Sequence, residues 1–239
     1  MGSLHCACFA IHADLSSDME TQYHELTDAL IQDGYLKTGE IIEAFEQIDR
    51  ADFVPEDQRE YAYANTPLSI GFNQTISQPL SVAFMLELLE VKPGERVLDI
   101  GSGTGWQAAI LAQIVGKKTS EGDDGEASRG SVVAVERIPE LKTASEASLD
   151  RYGFIGQGVV TVVLGDGTKG YKKSAPYDKI IAAASSEGDV PVAWKRQLKI
   201  GGRIVAPVGS SIVVIDKISK TKYTKKEHFG FSFSPLTVS

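Results

Sequence analysis

Cysteine is scarce in this chain: 239 residues hold two, Cys6 and Cys8, separated by one residue near the N-terminus. That spacing excludes a disulfide framework, and two thiolates fall short of a four-ligand zinc site. His5 and His12 stand nearby, but the Gly-, Ser- and Ala-containing run reads as an unstructured leader over residues 1–18, so no metal is expected. Positive charge is also in deficit, with 24 Lys and Arg against 32 Asp and Glu. A net charge of −8 argues against a broad surface for nucleic acid or anionic membrane. The single basic cluster, Lys217, Lys220, Lys222, Lys225 and Lys226, reads as the solvated face of a terminal hairpin. The apolar run from Cys6 to Ile11 lacks a basic flank and is too short to span a bilayer or to act as a signal peptide, so the expected location is cytoplasmic.

What is present is ample apolar material, 42% of residues, enough for the core of one α/β domain. Met19, Tyr23, Leu26 and Leu30 follow helical spacing, with Gly34 as a stop. A second helix is expected from Thr38, burying Ile41, Ile42, Phe45 and Ile48. From Asp52 to Gln78 the chain is turn-rich, and a loop that long inside a compact domain usually binds something. Ser77 sits where an N-cap belongs, ahead of an apolar helix from Leu80 to Leu89; Leu80, Phe84 and Leu88 read as its core positions.

Beyond Arg96 the pattern alternates. Strands are expected at Val97–Ile100, Val132–Val135, Val159–Leu164, Lys179–Ala184 and Arg203–Val208. Helices are expected up to Val115, over Pro139–Arg151 and after Pro191. Such alternation predicts an α/β fold: a doubly wound, mostly parallel, Rossmann-like sheet covered on both faces. The segments Ser211–Ile218 and Tyr223–Phe233 add a C-terminal antiparallel hairpin, and the residues before 93 form an N-terminal helical addition. The acidic stretch Lys117 to Gly130 reads as a mobile surface insertion. The expected layout is a leader over 1–18 and one domain over 19–239, divided into helices and loop over 19–92 and the Rossmann-like core over 93–239.

The most specific segment is Arg96-Val-Leu-Asp-Ile-Gly-Ser-Gly-Thr-Gly-Trp106, an apolar strand that ends in an acid and three alternate glycines. Gly101, Gly103 and Gly105 permit a tight strand-to-helix turn and close approach of a ligand to the main chain. The spacing is not that of dinucleotide enzymes, and no Gly-Lys-Ser/Thr follows to hold phosphates. S-adenosylmethionine fits better than NAD or ATP. Three acids fall at successive strand ends, where a doubly wound sheet binds its ligand: Asp99, Glu136 and Asp166. Glu136 and Asp166 are placed to meet ribose hydroxyls and an adenine edge. Glu136 lies 35 residues beyond Gly101, against about 20 in a standard unit, and the Lys117 to Gly130 insertion accounts for the excess.

With these residues in view, the chain resembles the protein-L-isoaspartate O-methyltransferase family from about Ile41 to Pro235. The matching stretches include Phe53-Val-Pro55, Gln74 to Pro79, Leu98 to Gly105, Gly165 to Thr168, Ala175 to Asp178, Pro207 to Gly209 and Ser234 to Thr237. The resemblance implies methyl transfer from S-adenosylmethionine to the α-carboxylate of L-isoaspartyl residues in damaged proteins or peptides, leaving S-adenosylhomocysteine. The ester would close to a succinimide that reopens partly as normal aspartate. It implies Ser77 as the active-site residue, which meets substrate together with Thr237. It also implies a cofactor site built from Gln74, Thr75, Ile76, Ser77, Asp99, Gly101, Ser102, Gly103, Glu136, Arg137, Asp166 and Gly167. No metal, nucleic acid or membrane enters, and a monomer is expected. A carboxylate is ionised at neutral pH and needs no general base, which suits a domain with few His and no Cys.

One departure stands out. The family usually shows Ala-Ala-Ala-Pro after the fourth strand, whereas Ala182 to Pro191 reads Ala-Ala-Ala-Ser-Ser-Glu-Gly-Asp-Val-Pro. Glu187 and Asp189 in this longer loop would disfavour acidic peptides. Two alternatives stay open: a relative that methylates another peptide aspartate, and a non-catalytic S-adenosylmethionine-binding module. Intact Ser77 and Asp166 argue against the second.

Overall fold

The computed structural model describes residues 21–119 and 129–237. The leader and most of the acidic insertion lie outside the described residues. Helix α1 covers 21–32 and buries Tyr23, Leu26, Thr27 and Leu30, the spacing of a single helical face. Gly34, at φ +73°, follows its end. Helix α2 (Gly39–Gln47) buries Ile41, Ala44 and Phe45, and α3 (Pro79–Leu89) lies beneath the sheet. Between them the chain forms two short 3-10 turns and a small antiparallel hairpin, β1 (Leu68–Ser69) with β2 (Thr75–Ile76).

The central sheet contains β3 (Arg96–Ile100), β4 (Ser131–Glu136), β5 (Val160–Leu164), β6 (Tyr177–Ala182), β7 (Leu198–Val208), β8 (Ser211–Lys217) and β9 (Tyr223–Phe229), in the order β5-β4-β3-β6-β7-β8-β9. Pairing is parallel from β5 through β7 and antiparallel over the last two ladders. The order of winding reverses beside β3, so the carboxyl ends of β3, β4 and β6 open into the crevice where such sheets bind ligands. Helix α4 (Trp106–Val115) is buried on almost every face, as its apolar sequence requires. Helix α5 (Pro139–Arg151) is polar outside and buries Leu141, Ser145, Ser148 and Leu149. Helix α6 (Val192–Gln197) packs through Trp194.

The strand and helix alternation, the parallel sheet and the closing hairpin are those expected from the sequence. Strand β6 runs Tyr177–Ala182 rather than Lys179–Ala184, and three further details differ. Strand β7 begins at Leu198 rather than Arg203, because Gly201 and Gly202 bend the strand without ending it and the β6 register shifts there. Strand β9 stops at Phe229 rather than Phe233, since Gly230 at φ +99° turns the chain back and Phe231 stacks on Phe84 of α3 at 5.1 Å. Lys217 is not solvated: its ammonium is buried and donates to the carbonyls of Lys195 and Leu198, both at 2.7 Å, while Lys220, Lys222, Lys225 and Lys226 are exposed.

Candidate active site

At the carboxyl end of β3 the chain turns through Gly101, Ser102, Gly103 and Thr104 into α4. Gly105, at φ +98°, is the residue before the helix, and a Cβ there would lie 2.7 Å from Ser145 Oγ of α5. Only glycine allows both the left-handed backbone and that approach. The turn is tied to β4, with the amides of Gly101 and Ser102 both donating to the Val135 carbonyl. Glu136, at the end of β4, completes the tie: Oε2 accepts the Gly103 N–H at 2.9 Å, and Oε1 accepts the amides of Arg137 and Ile138 at 2.8 and 3.0 Å. A carboxylate has about four acceptor sites, so three amides leave capacity for one hydroxyl.

Above this turn lies a cavity of about 380 Å³, within the range of small-ligand sites. Its floor is Gly101 to Thr104, Val135, Glu136 and Arg137. One wall is the β1–β2 hairpin and its exit, with Gln74, Thr75, Ile76 and Ser77. The other is the C-terminal segment from Ser232 to Thr237. The hairpin geometry is fixed by Leu68 pairing with Ile76 and by the Ile70 N–H donating to the Gln74 carbonyl. Ser77 is half-buried and lines the cavity, and its hydroxyl makes no hydrogen bond among the described residues.

Ser77 does not cap α3. Gln78 occupies the cap position, and the Leu80 amide donates instead to the side-chain carbonyl of Asn65 at 3.0 Å. A residue fifteen positions upstream does the capping and leaves the serine hydroxyl uncommitted.

Asp99 and Asp166 are placed differently from the other expected residues, and neither lines the cavity. Asp99 is completely buried beneath the glycine turn, where Oδ1 accepts from Gln107 Nε2 at 2.7 Å and Oδ2 has no partner. Burial pushes its carboxyl up to about 7, with the Gln107 bond opposing and the Glu136 charge adding to the rise. Asp166 turns back to accept the Thr168 amide and hydroxyl at 2.9 and 2.6 Å, with Lys169 at 3.1 Å from Oδ2. Its neighbour Gly167 does line the cavity, held by Trp194 Nε1 donating to its carbonyl at 2.8 Å. Thr237 lines the cavity at its exposed rim.

The lining fits a zwitterionic nucleoside. It offers the free acceptor capacity of Glu136, the amides of the glycine turn at a helix N-terminus, and two buried polar atoms without partners, Ser102 Oγ and Trp106 Nε1. Among the described residues no group of three His, Cys, Asp or Glu could hold a metal ion, and no helix is long and apolar enough to cross a membrane.

The family model of protein-L-isoaspartate(D-aspartate) O-methyltransferase matches residues 21–239. This chain belongs to that family. A protein-L-isoaspartate O-methyltransferase of Staphylothermus marinus is 41% identical over 226 residues, covering 93% of this chain and 96% of the relative. One from Ignicoccus hospitalis is 43% identical over 222 residues, covering 91% and 98%. A solved protein-L-isoaspartate O-methyltransferase structure superposes with a TM-score of 0.75 at 26% identity, over 90% of this chain and 66% of that one. A Plasmodium falciparum structure in complex with S-adenosyl-L-homocysteine shares the fold with a TM-score of 0.76 at 21% identity, covering 90% and 98%. The family assignment makes this chain an S-adenosylmethionine-dependent methyltransferase.

Within the isoaspartate methyltransferase frame the unusual loop after β6 acquires a structural use. Ser185 stands where the family pattern has proline, and its N–H, which proline would lack, donates to the Ser234 carbonyl at 2.8 Å. The Leu236 amide returns a bond to the Ser185 carbonyl at 2.7 Å. The loop thus fastens the segment that walls the cavity. The charge expected to repel acidic peptides is partly spent, because Asp189 pairs with Lys195 at 2.5 Å, while Glu187 is exposed.

Sequence reasoning missed Arg50, Asn65, Trp106 and the cavity wall at Ser232–Leu236. Arg50 and Asn65 flank the recognised Phe53-Val-Pro55 stretch, but nothing in their local pattern separates a buried guanidinium or a distant cap from solvated loop residues.

Proposed function

We propose that this cavity binds S-adenosylmethionine against the glycine turn and Glu136, and that Ser77 orients the α-carboxylate of an L-isoaspartyl residue for methylation. S-adenosylmethionine supplies an electrophilic methyl group on a sulfonium. The observation that carries the reading is the unpartnered Ser77 hydroxyl in the same cavity as Ser102, Gly103 and Glu136.

The chain's own residues have little proton chemistry to do. The incoming carboxylate is already the conjugate base, so no histidine or lysine is needed. The task is alignment and exclusion of water, where effective molarity supplies most of the acceleration. Ser77 donates its O–H to one carboxylate oxygen and leaves the other facing the methyl position. Gln74 to Ile76 on one side and Ser232 to Leu236 on the other close the cavity over the reacting atoms. Thr237, at the rim, meets the peptide backbone in this reading.

Ser77→Ala tests the assignment by steady-state kinetics with an isoaspartyl peptide. The expected result is a fall in kcat on the order of 10²-fold with the dissociation constant for S-adenosylmethionine changed by less than a few-fold. An unchanged kcat removes Ser77 from the mechanism.

A further inference from the structure

The β1–β2 hairpin and the residues leading into it have no extended pairing with the central sheet, yet they carry Ser77 and half of the cavity wall. Beyond the hairpin's own bonds, a buried cation ties the residues leading into it to Ser77. Arg50 is fully buried, and among the described residues it has no carboxylate partner. Its guanidinium donates to four carbonyls: Nη1 to Ala62 at 2.6 Å and Ala64 at 3.4 Å, Nη2 to Thr66 and Ser77 at 3.0 Å each. The same group lies over the ring of Trp106, 5.2 Å from the centroid, and Trp106 lines the cavity. Burial pulls its pKa down to about 10, so it stays charged at neutral pH.

A buried charge compensated only by dipoles is costly, and an apolar side chain could fill the space without that cost. The fork geometry shows what the charge accomplishes. A planar guanidinium reaches two carbonyls on each flank, and an ammonium with three donors cannot span both. On one flank Nη1 holds Ala62 and Ala64; on the other Nη2 joins Thr66 to Ser77. Asn65 reinforces the same junction from below, since its side chain accepts from the Leu80 amide and its carbonyl accepts from Gln78 Nε2 at 2.8 Å. The Ser77 backbone is held through its carbonyl while its hydroxyl is left free.

We infer that Arg50 is a positioning residue for methyl transfer: it sets the Ser77 hydroxyl at the height of the incoming carboxylate and presses Trp106 against the cofactor cavity. The inference rests on the role given to Ser77 above. The test is a double-mutant cycle of Arg50→Lys and Ser77→Ala, reading kcat with an isoaspartyl peptide, KM for the peptide and the S-adenosylmethionine dissociation constant.

Each single substitution is expected to lower kcat on the order of 10²-fold. The double variant is expected within about threefold of Ser77→Ala alone, because placing a hydroxyl that is absent has no consequence. A group that only held the fold together would lower kcat by the same factor in both backgrounds. Multiplying effects, or an Arg50→Lys kcat within threefold of the unaltered enzyme, overturn the inference while leaving Ser77 in place. An unchanged kcat for Ser77→Ala alone removes both readings. Should Arg50→Lys not fold, the unaltered protein decides the matter by NMR. Hindered rotation of the Arg50 Nη groups and a trans-hydrogen-bond coupling from Nη2 to the Ser77 carbonyl carbon are expected. A freely rotating guanidinium overturns the inference.

Discussion

Glu136→Gln is expected to weaken S-adenosylmethionine binding on the order of 10²- to 10³-fold, measured by isothermal titration, although the two side chains have nearly the same shape. The carboxylate accepts three backbone amides, one of them from Gly103 in the glycine turn. A glutamine presents an NH2 to one side of that set. Facing Gly103, it opposes donor to donor and pushes the turn away from β4; flipped, it does the same to Arg137 and Ile138. The acceptor left for a ribose hydroxyl also loses its charge, and hydrogen bonds to charged groups contribute about 1.5–3 kcal/mol each. Two such bonds impaired, each at the lower end of that span, about 1.5–2 kcal/mol, give the stated range. Affinity within threefold of the unaltered enzyme, with the protein folded, would show that Glu136 braces the turn without meeting the cofactor.

Asp99 gives the second large effect, on stability against pH. Its carboxyl has an ordinary value of 3.8 and is pushed to about 7 in the fold, mainly by burial. The folded chain therefore binds this proton more tightly than the unfolded one. The resulting stabilisation is fully present below about pH 3.8 and is lost as pH rises through about 7. Between pH 5 and 8 the loss comes to about 3 kcal/mol, at about 1.36 kcal/mol per unit, or roughly 5–10 °C in Tm for a chain of this size. Asp99→Asn keeps an acceptor for Gln107 and has no proton to lose. Its Tm should thus fall less steeply than that of the unaltered protein over this interval, other titrations being common to both. Parallel Tm profiles would show that Asp99 does not carry the proton.

Much of this was legible in the sequence, for physical reasons that differ by element. Helix α5 spans Pro139–Arg151 as expected, because a proline at its start and an amphipathic period mark it locally. The strand ends carrying Gly101, Glu136 and Gly167 were legible because apolar runs stop there at small or acidic residues. Long-range bonds were not. Ser77 looks like a cap in sequence, yet Asn65 caps α3 across fifteen residues. Asp166 reads as a ligand acceptor, and the sequence does not show that its Oδ1 also accepts the Thr168 amide and hydroxyl two residues on. Lys217 belongs by spacing to a solvated basic cluster, but the carbonyls of Lys195 in α6 and Leu198 at the start of β7 draw it inward. Arg50 is the extreme case: its burial depends on carbonyls twelve to twenty-seven residues away, and no local pattern encodes that.

The alignment proposed for this cavity sets an isoaspartyl carboxylate against a methyl donor. The most direct measurement is transfer of radiolabelled methyl from S-adenosylmethionine to a synthetic peptide containing L-isoaspartate, beside the same peptide with normal aspartate. Selective labelling of the isoaspartyl peptide is predicted. Labelling of neither peptide by protein that still binds S-adenosylmethionine would contradict the account.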